Sequence, residues 1–280
     1  VLVVFHGEVS RLPVAYGAGY AAAFVVLLVR RGLFRGGSAA PTQGLAASMA
    51  NQYLANQVGG LTGFVDRYFQ SFLLPGGISA LGYAGQIVNN LSSLLTFREI
   101  YVVPLASEAG RREKLERILQ GVVLISVPCT VFIVIYAEPI ILLLFQRGHF
   151  TPDAARVTAD VFRIQALSLV VSSALAPMVR IFQIINRISY SHLLYLASLV
   201  STAAFNYLFV FRLGLDVRGV AIAAVSNSLV VFLVVAGLVR NCGIHIRWQR
   251  ILGYVLYAGV AAAAAAALSW LVATHLAGLA

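Results

Sequence analysis

The sequence predicts an all-α fold, a polytopic membrane helix bundle of about eight spans, and three observations predict it. Hydrophobic residues make up 60% of the chain and charged residues 11%, against about 25% charged in a soluble domain. Apolar stretches at roughly 12–29, 45–72, 77–104, 118–145, 157–182, 191–211, 219–239 and 252–275 each meet or approach the ~20 residues that a bilayer core requires. Lysines and arginines alternate in density between successive loops, as the two sides of a membrane demand.

The elements follow in order. Residues 1–5 read as the tail of a preceding apolar segment, so the chain is expected to be part of a longer protein. After the first span, RRGLFRGGSAAPTQG (30–44) is basic and Gly-rich, contains Pro41 and has no apolar period, which marks a linker. The second to fourth stretches exceed the length needed, predicting tilt, kinks or protruding helical ends. The tight turn Pro75-Gly76-Gly77 makes a hairpin of spans two and three. Alternating charges in ASEAGRREKLER (106–117) predict a short solvated helical extension. Thr151-Pro152-Asp153 supplies an N-cap, an N1 proline and a first-turn acid for span five, and Asp216 is placed to do similar work before span seven. Pro128, Pro139 and Pro177 are potential bend points in spans four and five. Gly59/Gly63 and Ala258/Ala262/Ala266 are small-residue stripes suited to close helix packing.

The formal net charge is +10, but the cations lie between spans and form no single basic face, which argues against nucleic-acid binding. Loops 30–44, 105–117, 183–190 and 240–251 hold eleven Lys/Arg and the alternate segments 1–11, 73–76, 146–156 and 212–218 hold five. The richer set is therefore cytoplasmic, with some attraction to anionic lipid headgroups. Cys129 and Cys242 give no disulfide framework. The five histidines have no metal-ligand spacing, and no hydrolase, P-loop or dinucleotide motif is present. No cofactor is expected, and any transport draws on an ion gradient, the membrane potential or the solute's own gradient.

Span two carries Gln52, Asn56, Gly59, Gly63, Asp66/Arg67 and Gln70 at steps of three and four, hence on one helical face. Span three repeats the pattern with Ser79, Tyr83, Gln86, Asn90 and Ser93. Such faces cannot both point into lipid. They either bond to each other or line a wet cavity, and their length and amide content favour the cavity. Asp66 and Arg67 are the sharpest signal, because intramembrane charges are costly and mark solute paths. Arg67 is expected to contribute positive charge to that path, with Asp66 holding or neutralising it when empty. Arg98, near the cytoplasmic end of span three, and Arg180 can snorkel. Asp160 and Arg163 are i, i+3 neighbours that can pair, and Glu138-Pro139 marks the emergence of span four.

Residues 65–90, VDRYFQSFLLPGGISALGYAGQIVNN, resemble the MviN/MurJ family of lipid II flippases, of the multidrug/oligosaccharidyl-lipid/polysaccharide exporter superfamily. The likeness continues through VVPLAS (102–107), EPIILLLFQRGHFT (138–151), PMVRIFQIINR (177–187) and FNYLFVFRLGLDVRGVAIA (205–223), with FQRGHFT the most distinctive piece. The resemblance implies fourteen spans in two six-helix lobes plus two further helices, of which this chain covers the sixth to the thirteenth. Residues 1–44 are then the end of the first lobe and the linker, 45–240 the second lobe, and 241–280 an additional C-terminal span. It further implies a multi-pass protein of the cytoplasmic membrane, not an enzyme. Its partners would be membrane lipids and a lipid-linked sugar precursor for peptidoglycan, flipped by alternating access. The substrate-facing candidates are Arg67, Asp66, Gln52, Asn56, Gln70, Tyr83, Gln86, Asn90 and Arg98. One departure stands out: where the family usually has an arginine two residues after the Tyr-Ala of YAGQI, this chain has Gln86. A relative handling another lipid-linked saccharide, a drug/cation antiporter and a non-transporting envelope-assembly scaffold are the competing readings.

The charge distribution predicts that 105–117 is cytoplasmic and 146–156 extracytoplasmic. In a background lacking Cys129 and Cys242, a cysteine at Asp153 should react with an impermeant thiol reagent in intact cells, while one at Glu113 should be protected. The opposite labelling would invert the map.

Overall fold

The computed structural model describes residues 60–74, 76–96, 102–145, 150–185, 187 and 189–277. The first expected span, the 30–44 linker, Gln52, Asn56, Arg98 and the centre of the FQRGHFT segment lie outside them. Among the described residues there are eight α-helices: α1 over 60–70, α2 (Gly77–Thr96), α3 (Val102–Ala106), α4 (Arg111–Phe145), α5 (Pro152–Ile184), α6 (Ser189–Asn206), α7 (Asp216–Asn241) and α8 (Trp248–Ala277). A six-residue π-helix, Tyr207–Arg212, continues α6.

Five helices are long and apolar enough to cross a membrane: α4, α5, α6 with its π-helical end, α7, and α8 through Ser269. They coincide with the last five expected spans. Helix α2 has 20 residues, about 30 Å at 1.5 Å per residue, but its apolar character is diluted by Gln86, Asn89, Asn90 and three serines. The span expected over 77–104 divides differently. Helix α2 ends at Thr96, and Pro104 falls in the first turn of the separate α3, where proline is tolerated.

Helix α5 is the centre of the bundle and packs against α2, α4 and α7, while α8 lies on α4 and α6 on α7. Two hydrophobic cores are stacked along α5. Phe162 and Leu169 join Leu81, Ala84, Ile141 and Val220 in the one nearer its N-terminus (the outer core on the predicted topology), and Met178, Ile181 and Phe182 join Leu119, Val123 and Val235 in the other (the inner core). Each large side chain packed this way gains about 1.5–3 kcal/mol relative to exposure in water. In the bilayer, however, close packing rather than water exclusion must hold the helices together. The alanine stripe serves that purpose, since Ala258 is buried in the inner core and Ala262 and Ala266 face α4.

Of the three prolines, only Pro139 accompanies a break in helical dihedrals, at Tyr136 (φ −102°, ψ 19°). Nearby, Arg163 of α5 donates to the Val134 carbonyl at 3.3 Å and to Asp160 at 2.9 Å. Arg163 also lies 4.0 Å from Glu138, and Arg218 of α7 donates to Asp160. The expected i, i+3 pair is therefore part of a four-charge cluster joining α4, α5 and α7.

Thr151 caps α5 as expected, accepting from the Ala154 N–H at 3.2 Å with Pro152 at N1. Asp216 does not cap α7. Its φ of 47° places it in the left-handed region, Leu215 holds the N-cap position, and no side chain caps that end. The 106–117 segment is helical from Arg111, but it is not wholly solvated. Glu116 is buried, accepting from Arg112 Nε at 3.1 Å and from the Arg247 backbone N–H at 3.0 Å. Glu116 thus satisfies a donor just before α8 and ties that helix to the start of α4.

Helix α2 opens at Gly77 because space there is closed: a Cβ would stand 2.7 Å from Val217 Cγ2. Val217 is β-branched and stiff at χ1. Gly77→Ala should cost about 1–3 kcal/mol of stability, and Val217→Ala in the same chain should recover most of it. Thermal unfolding of the two single variants and the double variant in detergent checks the coupling.

Candidate functional site: a polar cavity between four helices

Gly63, Asp66, Arg67 and Gln70 of α1 face Gly82, Gly85, Gln86, Asn89 and Asn90 of α2 across a cavity of about 510 Å³, with Gln165 of α5 and Val220 and Ala224 of α7 completing its wall. The two polar faces thus border a shared space. Five of the candidates, Asp66, Arg67, Gln70, Gln86 and Asn90, converge there. Tyr83 does not join them. It lines a second cavity of about 520 Å³ toward Phe150, Asp153 and Asp216, and its ring centroid lies 4.7 Å from that of Phe145, the two planes tilted by 35°. The helical wheel explains the separation. The cavity takes the face through residues 78, 82, 85–86 and 89–90, and Ser79 and Tyr83 lie on the flank beside it.

Asp66 and Arg67 do not pair with each other. Asp66 Oδ1 accepts from Asn206 Nδ2 at 2.9 Å, and among the described residues no cation lies within ion-pairing distance of it. Adjacent helical residues point about 100° apart, so Asp66 turns toward α6 while Arg67 stays on the open side. Asn206 is 1% exposed and donates also to the Thr202 carbonyl at 3.0 Å, and its own Oδ1 has no partner. The π-helix begins at the next residue. π-turns of this kind recur at functional sites, where they re-aim side chains. Phe69 and Phe72 hold α1 against this end, with ring centroids 5.5 and 5.1 Å from Phe211.

Among the described residues, Arg67 is the sole cation of the cavity wall, and no hydrogen-bond or ion-pair partner approaches its guanidinium. The remaining polar wall is amide: Gln70, Gln86, Asn89, Asn90 and Gln165. Such a site offers one anion contact and several neutral donors and acceptors. Three of its polar residues escaped the sequence reading. Asn89 sits one position from a stripe residue and was within reach of the periodicity. Asn206 ends a run of Ser191, Ser198 and Thr202 at helical spacing on α6, and Gln165 begins one with Ser168 and Ser172 on α5, but hydroxyls, which can bond back to their own helix, announce a site less sharply than amides or charges do.

Among the described residues, a helical bundle with five helices long and apolar enough to cross a membrane, built around a polar cavity, defines a multi-pass membrane protein. The family model for the lipid II flippase MurJ matches residues 15–278, and the chain belongs to that family, whose members are flippases of the cytoplasmic membrane and not enzymes. It is 27% identical over 196 residues to a protein of Bdellovibrio bacteriovorus described as "Probable lipid II flippase MurJ", covering 67% of this chain and 37% of that relative. In fold it is similar to a lipid II flippase MurJ in an inward closed conformation (TM-score 0.67, 18% identity, 75% of this chain and 45% of that one). It is also similar in fold to a transporter of the MOP superfamily from Pyrococcus furiosus (TM-score 0.54, 17% identity, 76% and 50%). The chain thus spans less than half the length of the flippases it matches.

The Asp66–Asn206 contact joins α1 to α6 and can be measured. Asn206→Leu should leave the carboxylate without its donor and lower stability by about 1–3 kcal/mol. Adding Asp66→Leu, which removes the group needing a donor, should restore much of the loss. Additive losses in thermal unfolding would show that the bond does not couple the helices.

Proposed function

We propose that the protein to which this chain belongs flips a polyprenyl-diphosphate-linked sugar precursor, lipid II for peptidoglycan synthesis, across the cytoplasmic membrane by alternating access. The carrying observation is the α1–α2–α5–α7 cavity, with Arg67 unpaired in an otherwise amide-lined wall. A guanidinium binds phosphate oxygens through a planar fork of donors, and water-poor surroundings strengthen that attraction. The amides suit the hydroxyl and acetamido groups of a sugar. In this reading residues 45–240 form the second lobe, residues 1–44 the end of the first lobe with its linker, and residues 241–280 an additional span. The other lobe supplies the facing wall, and rocking of the two lobes opens the cavity to each side in turn. Membership of the flippase family supports this reading over ion-coupled drug efflux. Gln86, standing where the family usually has arginine, favours as the second reading a different lipid-linked saccharide.

Complementation tests the substrate. The full-length parent gene should rescue cells depleted of their own lipid II flippase, and failure despite normal membrane insertion would point to the second reading. Arg67→Ala should reduce rescue by at least an order of magnitude, with Arg67→Lys intermediate because it keeps the charge but loses the fork. The exchange Asp66→Arg with Arg67→Asp should insert normally and remain inactive. Its full recovery would remove Arg67 from the substrate path.

A further inference from the structure

We propose that Gln165 is a specificity-determining residue that reads the sugar of the cargo, leaving its diphosphate to Arg67. The inference rests on the proposed function and deepens it. Gln165 enters the cavity from α5, the central helix of the bundle. Its Oε1 is shut off from solvent and has no hydrogen-bond donor. That oxygen lies against α2 where Gly85 leaves room for it, 3.5 Å from the position a Cβ would take. Neighbouring hydroxyls are committed elsewhere: Ser168 donates to the Gln165 backbone carbonyl, and Thr130 to the carbonyl of Ala166.

A buried acceptor without a donor is costly, and native proteins keep few of them. Gln165 stands on a cavity wall, and rotation of its terminal amide about a soft sp³–sp² torsion turns this oxygen toward a ligand that brings the donor. The non-bridging oxygens of an ionised diphosphate only accept, so they cannot supply it. Sugar hydroxyls and acetamido N–H groups can. Arg67, which only donates, has the complementary need and matches the diphosphate. The wall therefore divides by hydrogen-bond sense, with a pure donor on α1 and an unmet acceptor on α5.

Equilibrium binding to the full-length parent protein in detergent tests this with two probes, a polyprenyl-diphosphate-linked disaccharide and the same polyprenyl diphosphate without sugar. Gln165→Leu should weaken the sugar-bearing lipid about fivefold, the worth of one neutral hydrogen bond, and leave the sugar-free lipid within about twofold. Its thermal stability should be unchanged or raised, because an unpaired acceptor has been removed. Gln165→Asn, which keeps the amide one methylene back, should give a smaller loss confined to the sugar-bearing lipid. Equal weakening of both lipids, a lowered melting temperature, or no effect on either would overturn the assignment. Failure of the unsubstituted protein to bind either lipid would instead overturn the proposed function itself.

Discussion

A polar group inside a bilayer has no water to turn to, and the arrangement of α1, α2 and α5 follows from that constraint. Helices α1 and α2 each carry amides along one face, and α1 adds two charges. Facing lipid, each unsatisfied group would cost several kcal/mol. Facing each other directly, the two stripes would have to match donor to acceptor along several turns. The structure does neither. It holds the stripes apart around a cavity of about 510 Å³, with Asp66 bonded instead to Asn206 of a third helix. The apolar packing of α5 against α2, α4 and α7 supplies the frame that keeps this space open.

The last five spans were legible because hydrophobic length is a local property, and so was the start of α5, because Thr151-Pro152-Asp153 contains its own cap. The Asp160–Arg163 pair was legible for the same reason, being three residues apart on one helix. Contacts set by tertiary packing were not. Asn206 meets Asp66 across 140 positions of sequence, and Glu116 meets Arg247 across 131, so no local period says which partner either one meets. Glu116 illustrates the physical reason for the miss. Its charged neighbours marked the segment as solvated, yet one carboxylate in that run was needed to satisfy a donor at the entry to α8. That Asp66 and Arg67 border one cavity was legible, and so was their divergence by about 100° as helical neighbours; which helix Asp66 would turn toward was not.

Charge is concentrated at a second level, away from the cavity. Glu138, Asp160, Arg163 and Arg218 join three helices beside the break at Tyr136. Exposed ion pairs contribute little singly, and these side chains are at least one-third exposed. Their effect is better understood as fixing a geometry. Arg163 also binds the Val134 carbonyl, two residues before the break. The kink of α4 is thereby tied to α5 rather than left to Pro139 alone, and the outer core is packed around a bend with a defined direction.

Gln86 acquires a physical meaning from its position. It lines the same cavity as Arg67, so an arginine there would place a second cation in surroundings where like charges repel more strongly than in water. Only an anionic cargo would offset that repulsion, and the empty cavity would be costly to maintain. With glutamine at 86, the described wall carries a single unpaired cation and a set of amides, and the empty state is easier to hold. On the proposed reading, discrimination shifts from counting phosphate charges to matching hydrogen bonds. An amide site built to bond a particular hydroxyl or N–H can reject analogues that lack it, because its own buried groups are then left unpaired. A glutamine at position 86 is therefore compatible, on this reading, with a selective flippase whose amides on α2 and α5 supply the discrimination that a second cation would not.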